Sequence, residues 1–85
     1  MEEEKIGNVV KFFAKLSVAA IEITKGTLKV GDVIHITGHT TDFEEKVESM
    51  QIENKSVEKA GEGQLVGVKV KERVRQNDQV FKVSE

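Results

Sequence analysis

The chain has 85 residues, with 13 basic and 15 acidic side chains, two histidines, and no cysteine or proline. That length holds one domain, and the missing cysteines exclude disulfides and the usual cysteine-based zinc sites. A net charge of −2 argues against a surface given over to nucleic-acid binding, which reads as strongly basic. No apolar run approaches the ~20 residues that a membrane helix needs. The acidic start MEEEK leads into no signal-peptide apolar region. The expectation is a cytoplasmic protein without membrane contact, built as a flexible acidic N-terminus at residues 1–5 and one domain over residues 6–83.

Valine, isoleucine, threonine and phenylalanine come in short runs bounded by glycine or charged turns, which is a strand pattern. In chain order the predicted strands are Ile6–Phe13, Val18–Ile23, Val33–Thr37, Phe43–Ile52, Gln64–Val70 and Gln79–Val83. Turns fall at Thr24–Gly26, Val30–Asp32, Gly38–Asp42, Ala60–Gly63 and Arg75–Asp78, with room for one short helical turn at Ser56–Ala60. The first strand ends in Phe12 and Phe13, and adjacent strand side chains point to opposite faces. Loops cover the outward ring, or it lies on a partner-binding surface; both are therefore partner-interface candidates.

The stretch from Gly26 to Gly38, GTLKVGDVIHITG, carries the glycine spacing of a phosphate-binding P-loop. The lysine and the hydroxyl residue that such a loop requires after its second glycine are replaced by Asp32 and Val33. A carboxylate repels phosphate, and the next residues read as a strand instead of a helix. This excludes a nucleotide ligand and favours two turns, with Gly26 and Gly31 supplying unusual backbone angles and Asp32 bonding the local backbone. Leu28 and Val30 are expected to tuck inside between them.

Further along, Val33, His35 and Thr37 alternate with Ile34 and Ile36. His35, His39 and Asp42 lie close together in sequence, but a strand histidine and a turn histidine match no metal motif, so no metal and no cofactor is expected. In Leu65–Val74, Val66, Val68 and Val70 share one face. Lys69, Lys71, Arg73 and Arg75 fall on the other, with Lys82 as a further basic residue. Side chains on one strand face repeat every ~6.6–7 Å, near the phosphate spacing of a single strand. The row reads either as a track for an RNA backbone or as a solvated face that protects a strand edge.

Together these pieces carry a family pattern: Gly7, then Gly26-Thr-Leu-Lys-Val-Gly31-Asp32 through Gly38, Lys46–Met50, Val57–Val68 with Gly61 and Gly67, and Arg75-Gln-Asn-Asp78. The chain resembles the second domain of translational GTPases such as elongation factor Tu, over residues 6–83, and most of all the small translation elongation factor-like proteins. The resemblance implies an all-β fold, a small six-stranded Greek-key β-barrel, with Gly26, Gly31, Asp32, Gly38, Gly61, Gly67 and Asp78 as structural turn positions. It also implies a non-catalytic binding module, not an enzyme, contacting tRNA, other RNA or a translation protein. The segment that matches the family's hold on the tRNA end makes Gln51 and Asn54 RNA-binding candidates beside Lys69, Lys71, Arg73 and Arg75. The competing expectation is a protein-interaction or scaffold domain, which docks a partner or self-associates through the face that elongation factors pack on their G domain.

Overall fold

The computed structural model describes residues 2–84, and among them it holds ten strands and no helix. The strands are β1 (Glu2–Phe13), β2 (Val18–Ile23), β3 (Thr27–Lys29), β4 (Val33–Thr37) and β5 (Asp42–Lys46), then β6 (Met50–Ile52), β7 (Lys55–Val57), β8 (Lys59–Gly61), β9 (Leu65–Lys69) and β10 (Gln79–Ser84). The all-β architecture expected from the strand-rich composition is present. Eight strands form one sheet in the order β5-β4-β10-β1-β2-β9-β6-β7, while β3 and β8 pair in a separate two-stranded ribbon.

The closed six-stranded Greek-key barrel is corrected by this topology. β5 and β7 end the sheet without pairing with each other. The strand expected over Phe43–Ile52 is two strands, β5 and β6, interrupted at residues 47–49, where Val47 bonds to the turn ahead of β4. Its N–H donates to the Asp32 carbonyl and its own carbonyl accepts from the Gly31 N–H, both at 2.8 Å. The side chain is fully buried at that bend. Nor is there a helical turn at 56–60, where β7 and β8 run instead, β8 held by β3 through Leu28 opposite Ala60.

β1 is long enough to pair with β10 along its first half and with β2 along its second. Its acidic residues Glu2–Glu4 lie in register with Ser84–Lys82. Two irregularities interrupt its register, one between Lys5 and Gly7 and one between Val9 and Lys11. Each inserts an unpaired residue and so shifts which face the following side chains occupy. That is why Ile6, Val9 and Phe12, three residues apart each time, all turn toward the core. Phe13 is left pointing outward.

The core is aliphatic, built on Ile21, Ile23, Leu28, Ile34, Ile36, Val66, Val68 and Val80, each with no exposed surface. Alternation places Ile34 and Ile36 inside, with Val33, His35 and Thr37 half-buried on the other face. In β9 it buries Val66 and Val68 and exposes Lys69. Val30 departs from expectation: it is 40% exposed, because its N–H bonds the Glu58 carbonyl at the outer edge of the ribbon, while Leu28 is buried. Gly26 and Gly31 adopt φ of 74° and 101°, a left-handed backbone that costs a residue with a side chain. Asp32 Oδ2 accepts from the Lys29 N–H at 2.8 Å, and the Lys82 ammonium lies 3.5 Å from the same carboxylate. The P-loop spacing is thus the spacing of two turns around a three-residue strand.

Candidate functional site

The outer face of β1, β2, β9 and β6 carries a groove of about 340 Å³. Register builds it. Phe13 faces Val18, Lys11 faces Ala20, Ala20 faces Gly67, and Gly67 faces Gln51. Ala20 and Gly67 are too small to fill the surface between their larger neighbours, so the sheet dips there. Phe13 and Leu16 wall one side, Leu16 raised by the turn in which its N–H donates to the Phe13 carbonyl at 3.1 Å. Leu65 walls another side, and Gln51, Glu53 and Asn54 form the polar rim.

Five large apolar side chains are exposed among the described residues, and three of them meet here: Phe13 at 41%, Leu16 at 65% and Leu65 at 52%. Such a gathering marks a binding surface more often than scattered single residues do. The Lys11 ammonium sits 5.0 Å from the centre of the Phe13 ring, a cation–π contact that holds the ring upright. Glu53 and Asn54 form the two-residue turn between β6 and β7, with φ of 52° and 66°. Both are left-handed, as the tightest hairpin turn demands.

The sequence-level candidates divide between this groove and other places. Phe13, Gln51 and Asn54 come together; Phe12 instead packs on the core beside Val10, Arg73 and Arg75. The basic row is dispersed. β9 ends at Lys69, and the chain then bends, with the Lys71 N–H donating to Glu45 Oε1 at 2.9 Å. Lys69 and Lys71 therefore share a hollow with Glu45 and Glu48, while the Arg75 side chain donates through Nε to Thr40 Oγ1 at 2.8 Å. Lys82 lies elsewhere, donating to the Thr27 carbonyl at 3.0 Å. No continuous track of cations results.

Asp78 is buried, its Oδ2 accepting from the Arg75 N–H at 2.8 Å. Gly38 packs so tightly on that carboxylate that a methyl group there would overlap Oδ1. Gly61 ends β8, and its N–H donates to Gln64 Oε1 at 2.7 Å. His39 lies exposed in the turn after β4. His35 does the unexpected thing: its Nδ1 is 2.8 Å from Glu3 Oε1 and its Nε2 is 2.5 Å from Asp42 Oδ1. Sequence reasoning missed Glu3, which lies 32 positions away.

Protonated, the ring donates to both carboxylates. The hydrogen bond to Glu3, followed by that to Asp42, raises the His35 pKa above its ordinary value. A pKa raised by folding stabilises the protein fully below the ordinary imidazole value of ~6.5, and that stability is lost as pH rises through the raised value. In chelator-containing buffer, wild type is therefore expected to exceed His35→Gln in stability below the ordinary imidazole value of ~6.5 and to lose that margin as the pH rises through the raised value. Urea unfolding across that pH range measures it; a margin that does not change with pH would show that His35 does not bridge the two acids in solution.

No family model matches the chain. It is 50% identical over 82 residues to an uncharacterised protease of Methanocaldococcus jannaschii, a match of 95% of this chain and 20% of that protein. It is 44% identical over 78 residues to a collagenase of Porphyromonas gingivalis, covering 91% of this chain and 22% of the collagenase. The chain thus spans about a fifth of the length of the curated relatives it matches. Among solved structures it is similar to the C-terminal domain of a Geobacillus thermoleovorans protein described as a U32 peptidase. That likeness has a TM-score of 0.87 at 20% identity and covers 95% of this chain and 93% of the solved one. The selenomethionine form of the same domain superposes with a TM-score of 0.85.

These findings overturn the resemblance to translational GTPases, and with it the reading as a non-catalytic module contacting RNA or a translation protein and the expectation that the chain is not an enzyme; nor do they support the scaffold reading. The relatives are named for proteolysis, and the fold is that of a peptidase C-terminal domain. The described residues contain no helix long and apolar enough to cross a membrane.

Proposed function

We propose that this chain is the C-terminal β-domain of a U32-type peptidase and serves proteolysis by holding the polypeptide to be cut in the groove lined by Phe13, Leu16 and Leu65. The observation that carries this reading is the 50% identity to a protease along 95% of the chain. The groove's chemistry supports it. An apolar floor takes side chains of an extended segment, and the amides of Gln51 and Asn54 suit its backbone groups, which both donate and accept. A phosphate backbone would meet Glu53 at the rim. The relatives named collagenase make collagen chains the first polypeptide to try. The cytoplasmic location expected from the composition stays part of this proposal.

Heat-denatured collagen, labelled and titrated with the chain, tests the reading. Saturable binding is expected, weakened at least about tenfold by the pair Leu16→Asp and Leu65→Asp, since each half-exposed leucine contributes on the order of 1 kcal/mol when covered. Both positions are exposed, so the variant should stay folded. Binding unchanged in that variant, or no binding by wild type, would sink the proposal.

A further inference from the structure

On the sheet face formed by β1, β10, β4 and β5, three acidic side chains surround one imidazole. Glu44 stands directly opposite His35 in the β4–β5 register, Asp42 lies two residues before it, and Glu3 reaches across β10 from β1. Ligand atoms of Glu3, His35 and Glu44 all lie within 4.8 Å of one another. Among the described residues, none of these three carboxylates forms an ion pair with lysine or arginine. Even a protonated His35 leaves the cluster two charges short of neutral.

We infer that Glu3, His35 and Glu44 form a binding site for a divalent transition-metal ion of the zinc or manganese class. The donor set is one nitrogen and two carboxylates, which suits such ions better than calcium or magnesium, both of which prefer oxygen alone. The spacing fits. Two ligands at ~2.1 Å from an ion and at right angles to it lie ~3 Å apart, and Nδ1 of His35 is already 2.8 Å from Glu3 Oε1. An ion can thus replace the shared proton with little movement of either group.

A second feature supports the site independently of the carboxylate count. Ligating histidines commonly donate their other ring N–H to a carboxylate, which fixes the tautomer and strengthens the ligand. Asp42 is already in that position, 2.5 Å from Nε2. The ring itself lies 6.3 Å from Phe81, centre to centre, on the neighbouring strand. The three ligands stand on separate strands, so an ion would tie β1, β4 and β5 across the sheet. This inference does not depend on the peptide-binding proposal.

The test is titration of the metal-free chain with MnCl₂, followed by amide NMR, and with ZnCl₂ by calorimetry. Manganese is expected to broaden the amides around Glu3, His35 and Glu44 first, and zinc to compete with it. His35→Ala and Glu44→Gln should each weaken zinc binding at least tenfold, and Asp42→Asn by about 10–100-fold as a positioning group. Asp42 and Glu44 are exposed and His35 is half-buried, and a thermal melt in chelator would verify that each variant folds. Broadening centred elsewhere, zinc affinity unchanged in His35→Ala, or calcium bound as tightly as zinc would each overturn the site.

Discussion

Gly7→Ala is expected to destabilise the protein by about 3 kcal/mol, the upper end of the ~1–3 kcal/mol typical of overpacking. Gly7 is buried in β1 where the strand passes from β10 to β2, and it is paired with both Val80 and Ile23. A methyl group built there would lie 2.1 Å from the carbonyl oxygen of Glu22 and 3.3 Å from the Cα of Ile23. Both are backbone atoms in the middle of the sheet, so neither can swing aside as a flexible side chain would. Relief requires β1 and β2 to separate, which breaks ladder hydrogen bonds and opens the core beside Ile23. For a domain of this size the loss corresponds to a melting temperature lower by roughly 12–24 °C. Gly61→Ala is the control, since its nearest neighbour would be Gln64 Oε1 at 3.9 Å. Thermal unfolding of the two variants decides the point: equal melting temperatures would mean that the β1–β2 approach is looser than the structure has it.

Leu28→Ala should cost about 2–5 kcal/mol, the range for emptying a buried leucine site. Leu28 is fully buried, although it belongs to a strand of only three residues. It is the side chain by which the β3–β8 ribbon enters the core, opposite Ala60, which is too small to fill the space alone. Little else ties β3 to the large sheet; the Lys82 ammonium donating to the Thr27 carbonyl is one such link. The loss should therefore be felt first in the ribbon. Hydrogen exchange is expected to accelerate for amides in β3 and β8 well before those of β2 and β9. Uniform acceleration across all strands would instead mean that the ribbon and the sheet unfold as one unit.

Much of the fold was legible because alternation is a local property. Ile34 and Ile36, or Val66 and Val68, sit two residues apart on one strand face wherever that strand is placed, so their burial followed from spacing alone. The turns around Leu28 were legible for the same reason: glycine and aspartate solve a local backbone problem. That also explains the misassigned kinship. The G-x-L-x-x-G-D stretch records how a three-residue strand is entered and left, with Gly26 and Gly31 at positive φ and Asp32 capping the Lys29 N–H. Residues chosen because a turn requires them say little about which family a small β-domain belongs to.

The candidate sites were less legible, since each depends on residues distant in sequence. The basic row rests on the alternation of β9 continuing to Arg75. The strand stops at Lys69, and Glu45 fixes the bend by accepting from the Lys71 N–H. Whether Phe12 or Phe13 points outward depended on the irregularity between Val9 and Lys11. One unpaired residue reverses the faces of all that follow, and its presence is set by pairing with β2 and not by β1 itself.

By itself, then, the sequence determined an all-β domain without disulfides, the burial of its aliphatic alternations, and the turns on either side of Leu28. These follow from side-chain volume, period and backbone freedom, which act over a few residues. Only the tertiary structure decided that the sheet stays open, that Phe13, Leu16 and Leu65 gather above the dip at Ala20 and Gly67, and that Glu3 meets His35. Those are matters of register between strands far apart in the chain, and register is chosen by the packing of the whole core at once.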